Sequence, residues 1–150
     1  MTTTTNDDDH RRAAARLDAA REARAQNELF AQIIESLPDG LVLVDADGKI
    51  AFINREAELL FGYSRHELLG QPHSTLIPET QRLVHDEHRE AYQRSPHIRS
   101  MGFPGLSLLG RHKGGHSFPV DIMLAPIIVD AGIFTVAVVR RNRPPRTPIA

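Results

Sequence analysis

The 150-residue chain contains no cysteine. Its absence excludes disulfides, cysteine-ligated zinc, iron–sulfur clusters, a cysteine nucleophile and a cysteinyl photo-adduct. Tryptophan is also missing, and aromatic residues are only 5% of the chain, too few for a carbohydrate-stacking surface. No charge of one sign dominates. The 18 Lys and Arg nearly balance the 19 Asp and Glu, and a net charge of −1 exerts no global pull on nucleic acid or anionic lipid. No apolar run approaches the roughly 18 residues that span a bilayer. The first ten residues, from Met1 to His10, lack the basic and apolar regions of a secretion signal. There is no Gly-rich phosphate loop between strand and helix, no Walker-type lysine and no Gly-x-Ser-x-Gly elbow. The expectation is a soluble, cytoplasmic protein without enzymatic activity. Apolar residues at 41% and charged residues at 25% are ordinary globular values, and the length suits one domain with extensions.

Residues 1–9 are mainly Thr and Asp and read as a disordered tail. From His10 to Ser36 there is no Gly or Pro, and helix formers dominate. Ala20, Ala23, Asn27, Phe30, Ile34 and Leu37 recur at spacings of 3, 4, 3, 4 and 3. This stripe is either the seam of a dimer, with Asn27 setting register, or a solvated face whose end packs on the domain. The helix should stop at Leu37-Pro38-Asp39-Gly40. Beyond it, Leu41–Val44 and Lys49–Ile53 form a hairpin around the turn Asp45-Ala46-Asp47-Gly48. Asn54 caps a helix over Arg55–Phe61 that ends at Gly62, and Ser64 with Glu67 forms a capping box for the next short helix. Pro78 opens a helix reaching Arg94. Strands follow at Leu106–Arg111, Phe118–Ile127 and Ile133–Val139, the last poorly alternating and therefore central. This order makes an α+β fold: one antiparallel sheet, helices gathered on one face, and a ligand cavity between them.

These residues carry a resemblance. Leu37–Gly40, Val44–Ile50, Ile53–Ala57 and Leu60–Pro72, with the later block Gly110–Val120, resemble a PAS sensory domain over residues 29–141. The resemblance implies a five-stranded sheet of order 2-1-5-4-3 and a regulatory role. Such domains bind a small ligand, pair with another PAS domain and pass a change to an effector. Residues 10–28 then form an N-terminal dimerisation helix with Ala20, Ala23, Asn27, Phe30 and Ile34 at the interface of a homodimer. Residues 142–150 form a basic, Pro-rich tail.

The cavity between helix 78–94 and the sheet is expected to be lined by Ile77, Val84, Leu106, Leu108, Ile122, Leu124, Val136 and Val138. The segment Ile77–Asp86 resembles the proximal helix of haem-PAS oxygen sensors. Matched residue by residue, their iron-ligating His falls on His85, which implies haem b and gas or redox sensing. Imidazole is a suitable axial ligand for iron. The distal Arg of those sensors has no counterpart here, since Gly105 or Leu106 falls at its place, and Met101 stands nearby as a distal group. Ile77, Thr80, Val84, His88 and Ala91 form one helical face and His85 lies about a hundred degrees to one side, so helix rotation decides which His meets the cavity. His85 and His88 lack a third metal ligand in sequence, which makes a structural metal site the lesser reading. His10, His66, His73, His97, His112 and His116 are expected at the surface. Two alternatives to a ligand sensor stay open. One is an unliganded PAS scaffold for protein pairing. The other is a small transcription-associated regulator whose tail, with Arg140, Arg141, Arg143 and Arg146, contacts phosphates. The net charge and the lack of a recognition helix count against nucleic acid.

Overall fold

The computed structural model of the chain describes residues 4–94, 99–101 and 108–142, with all their side chains except those of 4, 83–88, 91, 93 and 99–101. The chain divides into two units, residues 1–36 and 37–150. The first contains one helix, α1 (Thr4–Ser36). It starts at Thr4, so residues 4–9, expected to be disordered, are helical. Asp7 lies in its first turn, where a carboxylate favours the positive end of the helix dipole, and it pairs with Arg11 one turn on at 3.2 Å. Its 33 residues span about 50 Å.

The second unit runs β1 (Gly40–Val44), β2 (Ile50–Ile53), α2 (Arg55–Phe61), α3 (Arg65–Leu68), a 3-10 turn (His73–Leu76), α4 (Glu79–Arg94), β3 (Arg99–Met101), β4 (Leu109–Arg111), β5 (Ser117–Val129) and β6 (Gly132–Arg141). The strands form one antiparallel sheet in the order β2-β1-β6-β5-β3, and β4 also pairs with β5. These are the five columns expected in the order 2-1-5-4-3, with the edge column divided between β3 and β4. Met101 pairs with Ile122 and Leu109 with Pro119. β3 was not expected from sequence: Arg-Ser-Met is three residues long and carries no alternation. β6 is central, as its apolar run implied, lying between β1 and β5.

One buried side chain organises the entry to the sheet. Asn54 is fully buried; its Oδ1 accepts from the backbone N–H of Leu41 (2.8 Å) and Ala57 (3.0 Å), and its Nδ2 donates to the carbonyl of Asp39 (3.0 Å). It thus caps α2 and fixes the start of β1 together. Beside it, Arg140 near the end of β6 forms a two-pronged ion pair with Asp39 at 3.0 and 2.9 Å. That hydrogen bond holds the Asp39 carboxyl below its ordinary value. Arg141 lies over the Phe118 ring at 4.8 Å. Two of the four tail arginines therefore belong to the sheet; residues 143–150 lie outside the described residues.

The core joins Val42, Ile50, Ile53, Ala57, Phe61 and Leu68 to Leu76, Phe118, Val120 and Val139. α2 ends as expected at Gly62, whose left-handed φ of 77° lets its N–H reach the carbonyl of Glu58. The capping box at Ser64 is not formed. Its hydroxyl makes no cap bond, and the Glu67 carboxylate instead pairs with Lys113 of the β4–β5 turn at 2.8 Å. The same turn donates its Lys113 N–H to the Phe61 carbonyl at the end of α2.

Candidate functional site

Alternation along the strands sorts the sheet into two faces. Val42 and Val44 of β1, Val120, Ile122 and Leu124 of β5, and Thr135, Ala137 and Val139 of β6 form the floor of a cavity. Phe61, Leu76, Ile77, Leu109 and Gly110 close one side, and Arg89 and Tyr92 of α4 form the roof. The cavity is partly open to solvent and has a volume of about 130 Å³. For scale, an engineered apolar protein cavity of about 150 Å³ takes up benzene.

The roof is held by polar contacts. Arg82 Nε donates to the carbonyls of Ser74 and Ile77, both at 3.1 Å, and Gln81 Oε1 accepts from the Leu109 N–H at 3.2 Å. Farther along α4, Arg89 donates to the Ala46 carbonyl at 3.0 Å. These bonds tie one helix to the 3-10 turn, to β4 and to the β1–β2 turn.

One corner of the cavity is polar, and the β1–β2 turn builds it. Asp45, His73 and Arg89 meet there. Asp45 Oδ1 accepts from the N–H groups of Asp47 and Lys49, both at 2.9 Å, which closes the turn. Gly48 has a φ of +82°, and a Cβ there would stand 2.8 Å from the guanidinium carbon and both terminal nitrogens of Arg89. The missing side chain is what lets the guanidinium lie against the turn. His73 approaches the Gly48 carbonyl twice, through its backbone N–H (3.0 Å) and through Nδ1 (2.7 Å). A carbonyl only accepts, so Nδ1 carries the proton.

Of the lining residues expected from sequence, Ile77, Ile122 and Leu124 are in place. Leu108 packs against the core cluster rather than on the cavity. Val136 and Val138 are corrected: they occupy the opposite face, and Thr135, Ala137 and Val139 point inward instead. Val139 pairs with Ile122 and Ala137 with Leu124, while Val138 pairs with Met123. A strand apolar on both faces carries no sign of which face is which, and a one-residue shift reverses every side chain. Val84, His85 and His88 belong to α4, but their side chains lie outside the described residues, as do the Met101 side chain and Leu106. His73 is corrected from the surface to a half-buried position on the cavity wall. Arg89, Tyr92 and Asp45 were missed. The available signal was Arg89 and Tyr92 at four and seven residues after position 85, on the same helical face as that position.

His112 and His116 stack across the β4–β5 turn with ring centroids 4.4 Å apart, away from this cavity. Among the described residues no group of three His, Asp or Glu side chains converges for a metal, and no helix is long and apolar enough to cross a membrane.

Residues 28–140 match the family model described as the PAS fold. The signal transduction histidine-protein kinase AtoS of Escherichia coli is 46% identical over 63 residues, 42% of this chain and 10% of that protein. The sensor protein FixL of Bradyrhizobium diazoefficiens is 30% identical over 103 residues, 67% of this chain and 20% of that protein. The chain thus matches a small part of these much longer relatives. Among solved structures, a PAS domain from a two-component sensor histidine kinase superposes with a TM-score of 0.67 at 16% identity, covering 80% of this chain and 99% of that one. The PAS domain of an HTR-like protein from Haloarcula marismortui gives 0.66 at 19% identity, covering 83% and 98%. By the family match, the sheet order and the cavity between sheet and α4, this chain belongs to the PAS family of sensory domains.

Proposed function

We propose that the domain is the input module of a cytoplasmic signal-transduction system, that it has no catalysis of its own, and that it detects a small, largely apolar molecule. The observation that carries this reading is the cavity, an apolar chamber of about 130 Å³ with a polar corner. A molecule seated there touches β1, β5, β6 and α4 together. Filling the space would press on α4, which the described polar contacts hold by Arg82, Gln81 and Arg89. A change in α4 would reach the β1–β2 turn through Arg89.

We place the output in a homodimer paired through the α1 stripe and the outer sheet face. Phe30 is 54% exposed, and Ala20, Ala23 and Asn27 are exposed beside it. Met123, Ile127 and Val129 leave further apolar surface open on the outer face of β5.

The test is a melting experiment with benzyl alcohol, which is neutral and benzene-sized. It should raise the melting midpoint by mass action on the folded state. Ala137→Leu, which projects a larger side chain into the cavity, should abolish the rise while keeping a folded protein. No rise with benzyl alcohol or toluene, at concentrations up to their solubility, rejects the ligand-sensing reading.

Haem is a second reading, supported by the place of His85 on α4, on the same helical face as Arg89 and Tyr92 of the roof. If bound, haem would supply gas or redox chemistry at its iron. The cavity is partly open, and a four-ring macrocycle would need more room than its volume of about 130 Å³. A Soret band after expression with haem precursor, lost in His85→Ala, would assign haem; a colourless protein rejects it.

A further inference from the structure

The polar corner carries more than the presence of a ligand. Among the described lining residues, Arg89 holds the one permanent positive charge. A guanidinium has five N–H donors. One contact is made with protein, to the Ala46 carbonyl, and no carboxylate pairs with Arg89 among the described residues. The neighbouring acid, Asp45, has Oδ1 committed to two backbone N–H groups of its own turn. The corner therefore has cationic donor capacity left over, at the edge of an otherwise apolar chamber.

We propose that the ligand is a monocarboxylate with a benzene-sized apolar body, an aromatic or branched short-chain acid whose carboxylate is received by Arg89. This rests on the reading of the cavity as a ligand site and names the class of ligand. The planar guanidinium fork matches a carboxylate in two-pronged geometry. A dianionic phosphate fits less well, because a single cation opposes it and the Asp45 carboxylate stands nearby. The chamber of about 130 Å³ sets the size of the body. Gly48 has a further role here: without a Cβ it leaves the guanidinium room to turn from the Ala46 carbonyl toward a ligand. Carboxylate capture would then loosen the tie between α4 and the β1–β2 turn.

The experiment is calorimetric titration of the full chain with benzoate and with benzyl alcohol, which share a ring and differ in charge. Benzoate should bind about tenfold or more tightly than benzyl alcohol. Arg89→Met should weaken benzoate about tenfold or more and leave benzyl alcohol within about twofold; Arg89→Lys should retain part of the benzoate affinity. Equal binding of the two probes by the native chain, or benzoate binding unchanged in Arg89→Met, overturns the carboxylate assignment. If benzyl alcohol binds and benzoate does not, the assignment falls while the ligand-site reading stands. If neither binds, both fall. Should Arg89→Met not fold, judged by circular dichroism, Arg89→Gln takes its place, and the ratio of the two probes on the native chain decides by itself.

Discussion

Asn54 shows how one short polar side chain holds several elements in place. Full burial would make an amide costly without partners, and here it satisfies Leu41 N–H, Ala57 N–H and the Asp39 carbonyl. Asn54→Ala removes the helix cap and strands two backbone donors in the interior. The expected loss is about 2–4 kcal/mol of unfolding free energy. Denaturant unfolding at neutral pH measures it, and a loss below about 0.5 kcal/mol would mean that water or a relaxed backbone replaces the amide. Arg89 works in the opposite sense. Among the described residues it closes one backbone contact, so its substitution should act on ligand affinity more than on folding. Neither role could be read from residue type alone. An Asn before a helix announces a cap, but its second bond, back to β1, depends on tertiary closure.

At the scale of elements, strand ends meet where Asp39 precedes β1 and Arg140 closes β6. Gly40 pairs with Val139 and Leu41 with Val138, so the ion pair continues the ladder past its last rung. The Asp39 carboxyl is held below its ordinary value chiefly by its hydrogen bond to Arg140. A depressed carboxyl stabilises the fold above its unfolded value, near 3.8, and that contribution is lost as pH falls through the lower folded value. Asp39→Asn should therefore lower the melting midpoint at pH 7 by about 1–3 °C, because the Arg140 side chain is well exposed and the pair is screened. The gap between variant and native chain should close as pH drops below about 4. A gap that persists to low pH would assign the effect to packing.

Elements were legible where local chemistry is strong. Asn54, Gly62 and the Asp45–Gly48 turn announce themselves, and the apolar run of β6 declared its central place. Legibility failed where both faces of a strand are apolar, as in β6, or where an edge strand is short and polar, as in β3. It failed again at Glu67, because the competing cation, Lys113, is 46 residues away in sequence. The cavity floor was half legible for the same reason. β5 alternates and gave Ile122 and Leu124 correctly, while β6 does not alternate, so Val136 and Val138 were assigned to the wrong face. His73 had no local signal, since its burial comes from pairing with the Gly48 carbonyl across the β1–β2 turn.

For the whole molecule, the open issue is what α1 contributes to assembly. The helix shows Leu17, Leu29, Phe30 and Ile33 to solvent at 46–57% exposure, beside the stripe of Ala20, Ala23 and Asn27. A single helix with exposed apolar residues lacks the burial that normally stabilises one, and the proposed second copy would supply it. Residues 37–150 form a separate unit with their own core, so shortening α1 should leave that unit folded. Removing residues 1–26 cuts the stripe after Ala23 and leaves a segment shorter than the about 12–15 residues at which an isolated helix is marginal. Light scattering should then show the mass falling from a dimer toward a monomer, with the melting midpoint of the remaining domain nearly unchanged. An unchanged oligomer mass would move the dimer contact to the outer sheet face, where Met123, Ile127 and Val129 are 43%, 39% and 49% exposed. A charged residue at Ile127 would then be the change that separates the copies.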